Sequence, residues 1–154
     1  MTEDIHIRFA RQEDAETIAR FNTAMARETE ELVLDPPTIR AGVRALFENP
    51  AHGFYIVAEV DGETAACLMI TKEWSDWRNG LLWWIQSVYV APAYRRRGIY
   101  RRMYAFIKSQ AAQKENVCGF RLYVEKSNQN AQQTYRSLGM QATRYQMFEE
   151  IIES

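Results

Sequence analysis

Val90-Ala91-Pro92-Ala93-Tyr94-Arg95-Arg96-Arg97-Gly98-Ile99-Tyr100 decides how this chain is read. An apolar strand-like run enters a proline turn, three arginines and a glycine follow, and an amphipathic helical pattern begins at Ile99. A helix that starts there aims its first, unpaired N–H groups and its positive end at one point. The anion that fits such a point best is a pyrophosphate. Gly98 carries no Cβ, so the backbone can come close to the phosphates, and Arg95, Arg96 and Arg97 can add charge-assisted hydrogen bonds.

Working outward from this loop, Leu81 to Val90 precedes it as a long run with few charges and reads as a central strand. Upstream, Phe54, Ile56, Ala58 and Val60 alternate as a strand, Asp61-Gly62 signals a tight hairpin, and Thr64 to Thr71 returns as its partner. Lys72 to Gly80 reads as a polar loop that carries Trp74 and Trp77. Ile5, Ile7 and Phe9 form a first strand, and a helical pattern runs from Asp14 to about Ala26. Thr38 is positioned to cap a second helix that ends near Asn49-Pro50. Downstream, Ile99, Met103, Phe106 and Ile107 share a helix face, and Phe120, Leu122 and Val124 alternate as a strand. A short helix bearing Ala131, Tyr135 and Leu138 stops at Gly139, and Gln141 to Ile151 supplies a last strand or two.

The chain has 154 residues and a net charge of −1, with 47% hydrophobic and 25% charged residues. It is therefore expected to be one domain, residues 1–154, with one core. The balanced charge gives no global pull toward nucleic acid or anionic membrane, although five arginines lie between Arg95 and Arg102. No apolar run is long enough to span a bilayer and the acidic start lacks a signal-peptide pattern, so a cytoplasmic protein is expected. Cys67 and Cys118 sit in strand-like runs and read as two buried reduced thiols. His6 and His52 have no partner at metal-ligand spacing, so no metal is expected.

A second motif lies thirty residues after the first, where a strand leads into Asn128, Ala131, Tyr135 and Gly139. Together with Arg95, Gly98 and Tyr100, these residues resemble the two signatures of the GCN5-related N-acetyltransferase (GNAT) superfamily over nearly the whole chain. Tyr100 stands where the family has Gly or Ala, and Met140 where it usually has Phe.

The resemblance implies a mixed α/β (α+β) GNAT fold, with a mostly antiparallel central sheet of six to seven strands, splayed central strands and helices on both faces. It implies acetyl-CoA as acyl donor and the primary amine of a small molecule or peptide as acceptor, by direct attack on the thioester. Main-chain amides of Arg95, Arg96, Arg97, Gly98, Ile99 and Tyr100 would hold the pyrophosphate, and Asn128 would contact the coenzyme. The strand Val88-Tyr89-Val90 would pair with pantetheine and stabilise the oxyanion, while Tyr135 would protonate the departing thiolate.

Many relatives carry a Glu on the central strand as base, but here Trp83-Trp84-Ile85-Gln86-Ser87 fills it with no carboxylate. Gln86 and Ser87 can hold a relay water. Glu28, Glu30, Glu31, Glu73 and Asp76, with Trp74, border the acceptor cleft that the resemblance implies and suit a cationic amine. Two other readings stand beside this one: a coenzyme-binding sensor without turnover, and a nucleic-acid module built on the arginines, against which the balanced charge speaks. The acceptor is not named by the sequence, and the oligomeric state stays open, a homodimer included.

Overall fold

A computed structural model describes residues 4–153. The chain divides into two compact units, Met1–Tyr123 and Val124–Ser154.

The first unit is built on a five-stranded sheet in sequence order: β1 (Ile5–Phe9), β2 (Gly53–Val60), β3 (Glu63–Ser75), β4 (Gly80–Val90) and β5 (Val117–Arg121). The first three junctions are antiparallel and β4–β5 is parallel. The Asp61-Gly62 hairpin forms as expected, with both residues at positive φ (50° and 85°) as a type I′ turn requires.

Two strand boundaries differ from the sequence reading. The segment read as a loop from Lys72 is strand as far as Ser75, paired Lys72↔Trp83, Glu73↔Leu82 and Trp74↔Leu81, and only residues 76–79 turn. There Glu73 accepts from Trp84 on β4 and Arg121 on β5, and the ladder continues without apolar alternation. The strand after the loop-bearing helix is shorter than the Phe120-Leu122-Val124 alternation suggests and stops at Arg121.

Helices α1 (Ala15–Glu30) and α2 (Pro36–Glu48) cover the sheet face that presents Tyr55, Val57, Cys67 and Tyr89, and bury Ile18, Phe21 and Val43 against it. Asp35 caps α2, accepting from the Thr38 N–H at 3.2 Å, and Pro36-Pro37 fill the first turn. The cap is thus the carboxylate before the prolines, while Thr38 Oγ1 donates to it at 2.6 Å. Arg8 on β1 fixes the start of α1 by a two-nitrogen grip on Asp14 (2.8 and 3.0 Å) and also reaches Glu59 (3.0 Å).

Helix α3 (Ile99–Ala112) follows the loop and packs on the other face. There Phe9 meets Phe54 and Phe106, Phe54 meets Trp83, and Trp83 and Tyr104 both meet Phe120 at centroid distances of 5.2–6.3 Å. Cys67 is buried, and burial pushes its thiol up to about 12, which makes it inert at neutral pH. Cys118 is exposed, a correction to the expected pair of buried thiols: it lies on the outermost strand.

The second unit contains α4 (Gln129–Ser137). Asn128 caps it by accepting from the Ala131 N–H at 3.1 Å, and Gly139 ends it at φ 98° with the Met140 N–H bonded to the Tyr135 carbonyl (3.0 Å). No strand forms in residues 141–153, so the sheet has five strands rather than six to seven. Tyr145, Met147, Phe148, Ile151 and Ile152 in this stretch are exposed. Their alternation alone does not make a strand, because a ladder needs a partner and this unit contains no other strand among the described residues.

Candidate active site

The site begins where β4 loses a neighbour. Its parallel pairing with β5 ends at Trp84↔Arg121, whereas β4 itself continues to Val90. From Ile85 onward, that flank of β4 has no ladder partner among the described residues. An open strand edge is a template for an extended ligand with amide groups.

On its other flank, β4 bulges against β3: the register runs Met69↔Gln86 and then Cys67↔Tyr89, so Ser87 and Val88 oppose a single residue. Ser87 sits at φ 53°, a left-handed conformation in mid-strand that a non-glycine residue adopts at a cost. The bulge re-aims the backbone of Ser87 to Val90 at the point where the strands part.

The open flank leads directly into the arginine loop. A short 3₁₀ turn, Pro92–Tyr94, is followed by Arg96 at φ 64° and by Gly98 at φ 73° as the N-cap of α3. A Cβ built on Gly98 would meet no protein atom within 4 Å, so the space above it is open. The first bond within the helix runs from the Arg102 N–H to the Gly98 carbonyl at 3.2 Å. The amides of Ile99, Tyr100 and Arg101 therefore lie ahead of the ladder and are available to an anion. Tyr100 contributes to this end through its amide, while its ring stacks on Tyr104 at 6.3 Å.

Arg95 turns inward. Its Nε donates to the Val90 carbonyl (2.8 Å), its Nη2 pairs with Glu28 (2.9 Å), and its guanidinium lies 5.5 Å from the Tyr89 ring centre. The Tyr89 hydroxyl donates to the other Glu28 oxygen at 3.1 Å. Burial, then this bond, raises the Tyr89 pKa. Glu28 lies in the last turn of α1, which Glu31 closes at φ 52°. One carboxylate thus ties α1, the end of β4 and the arginine loop together. Arg96 and Arg97 remain exposed at the loop.

A second polar group lies on the sheet face shared with α1 and α2. The Gln86 amide donates to Thr71 Oγ1 at 2.5 Å, which leaves Gln86 Oε1 as an acceptor. Glu73 accepts from the Trp84 indole N–H (2.7 Å) and from Arg121 Nη1 on both oxygens (2.9 and 3.1 Å). The indole bond first, then Arg121, hold the Glu73 carboxyl below its usual range, so it is a weak base at neutral pH. Asp76 accepts from the Trp77 N–H in the turn, and Trp74 is exposed.

Of the expected residues, Val88, Tyr89, Val90, the Arg95–Tyr100 loop and Glu28 come together, whereas Gln86 is bonded to Thr71 and Glu73 to Trp84 and Arg121. Glu31 is an exposed helix cap. Asn128 and Tyr135 lie on the second unit, where Asn128 is a helix cap and burial raises the Tyr135 phenol pKa. Arg121 and Thr71 had no site role in the sequence reading. A lone arginine between Phe120 and Leu122 is the signal that points to Arg121.

An open β4 flank thus runs into the start of α3 within one compact unit. The family model of the acetyltransferase (GNAT) family matches residues 10–140, and the chain belongs to that family. A possible acetyltransferase of Clostridium difficile 630 shares 47% identity, covering 97% of this chain and 99% of that one, with a TM-score of 0.90. The aminoglycoside N-acetyltransferase AAC(6')-Iy, solved in complex with CoA, has the same fold (TM-score 0.80, 15% identity, 98% and 97% covered). A curated relative, S-alkylcysteine N-acetyltransferase of Bacillus subtilis (strain 168), is 25% identical over 114 residues, 71% of this chain. That match spans 62% of the relative's own length. No helix among the described residues is long and apolar enough to cross a membrane.

Proposed function

We propose that this chain is an acetyl-CoA-dependent N-acetyltransferase acting on the primary amine of a small molecule. The observation that carries the reading is the continuity of the open β4 flank with the N-terminus of α3. Pantetheine amides would add to the strand edge, and the pyrophosphate would meet the amides after Gly98. In the reaction the amine nitrogen bonds to the thioester carbonyl carbon, the C–S bond breaks, and one N–H proton is lost as the thiolate gains one.

The amides of Val88 to Val90, aimed by the bulge at Ser87, would take up the oxyanion. Tyr135 would protonate the thiolate: burial raises its pKa, so the phenol keeps its proton at neutral pH. A water held by Gln86 Oε1 would carry the amine proton outward, since Glu28 and Glu73 are both engaged. Small-molecule acceptors are supported by the names of two relatives, one acting on an S-alkylcysteine and one on aminoglycosides.

Those engaged carboxylates also favour a second reading, a coenzyme-binding sensor without turnover. An amine panel with acetyl-CoA, read by thiol release, separates the two. Amine-dependent thiol release is expected. Acetyl-CoA binding with no release above the amine-free rate across the panel would contradict the transferase and favour the sensor.

A further inference from the structure

We propose that Arg121 anchors a carboxylate of the acceptor, so that the acceptor is an amino-acid-like molecule bearing its carboxylate close to the reacting amine. The proposal rests on the transferase reading and adds the substrate class to it. It starts from a polar strip, Thr71, Glu73, Trp84, Gln86 and Arg121, on a sheet face that elsewhere presents Tyr55, Val57, Cys67 and Tyr89 to α1 and α2. Arg121 is the last β5 residue paired with β4, so its side chain stands at the mouth of the opening between the strands.

Arg121 meets both Glu73 oxygens through the single nitrogen Nη1. A guanidinium has five N–H donors in a planar fork. Nε and Nη2 have no protein partner among the described residues, and the side chain is 27% exposed. That free edge is the one that grips a carboxylate with two parallel bonds.

Glu73 is fixed by the Trp84 indole as well, so it acts as a strut for Arg121 rather than as a receptor for a cationic acceptor. With Glu73 compensated by Arg121, the strip carries no surplus negative charge to draw a polyamine. Trp84 and Tyr123, with ring centres 6.2 Å apart, offer an apolar wall beside Arg121 for a side group, and Tyr123 is exposed.

The bland alternative is an ordinary half-exposed ion pair of little consequence. Matched trios decide between them: alanine, methionine and phenylalanine, each as free acid, carboxamide and decarboxylated amine. The wild type is expected to favour the acids by roughly 10- to 100-fold in kcat/KM, the range for a lost charged hydrogen bond. Arg121→Gln should level acid and carboxamide, Arg121→Lys should restore part of the preference, and Glu73→Gln should keep most of it. Equal use of all three forms by the wild type, or a preference that survives Arg121→Gln in a folded protein, would overturn the proposal.

Calorimetric titration of the N-acetylated acids onto the same variants needs no turnover. Arg121-dependent binding is expected, and no binding of any acid would overturn the anchor. Acetyl-CoA titration on the same proteins reports on the transferase separately: failure to bind it, with Arg121-dependent acid binding intact, would contradict the transferase and spare the anchor.

Discussion

At Arg95 and Glu28, motif position and side-chain use part company. The sequence motif makes Arg95 a phosphate ligand, yet its guanidinium is bonded to Val90 and Glu28, so its charge is largely compensated before any ligand arrives. Arg95, Arg96 and Arg97 are all exposed. The pairing was invisible in the sequence because Glu28 is 67 residues away, and no period links a helix end to a loop at that distance. That Gly98 precedes α3 and that Tyr135 lies within α4 was legible, because those patterns are local.

Tyr135→Phe is expected to lower kcat by roughly 100- to 1000-fold while leaving coenzyme affinity nearly unchanged. Because burial raises the phenol pKa above its ordinary 10.0, loss of activity by its ionisation should appear only above that pH. Steady-state kinetics across pH check both, and a Phe variant with wild-type kcat would make Tyr135 a packing residue.

Asp14 gives a pH-dependent stability. Burial alone would raise its pKa, but hydrogen bonds from Arg8 and the Arg11 N–H outweigh this and lower it from 3.8. A lowered carboxylate contributes stability above its unfolded pKa and loses it as pH falls through the folded value. Asp14→Asn should therefore cost about 1–3 kcal/mol at pH 7 and progressively less below about pH 4, measured by urea unfolding. A cost that stays constant from pH 7 to pH 2 would contradict the ion pair.

Among the elements, β4 carries the most specific demand. Ser87 holds φ 53° so that the strand can bulge where its β5 flank opens. A β-branched residue tolerates that conformation poorly, so Ser87→Val should lower stability by about 1–3 kcal/mol and depress kcat more than it raises KM, checked by unfolding and kinetics. Unchanged stability and kcat would mean that the bulge is idle.

Elements with clean alternation or strong punctuation were legible: β1, the Asp61-Gly62 hairpin, α3 starting at Ile99, and α4 stopping at Gly139. The rest of β3 was not, because its ladder continues through Lys72, Glu73 and Trp74, where polar partners rather than an apolar face satisfy the strand. The expected strand in residues 141–151 shows the reverse error: alternation was present without a partner edge in its own unit. The bulge left no mark at all, since serine is not the residue that advertises a left-handed conformation.

At the scale of the molecule, the open edge of β4 and the start of α3 belong to one compact unit, and one ligand is proposed to use both. Calorimetric titration of acetyl-CoA into the wild type and Gly98→Val tests this most directly. The space above Gly98 is empty of protein, so the variant keeps its core, while valine strains the left-handed turn and stands where the phosphates must approach. One coenzyme bound per wild-type chain and a melting temperature raised by the ligand are expected, with neither effect in a folded Gly98→Val. No binding by the wild type, or equal binding by both proteins, would contradict it.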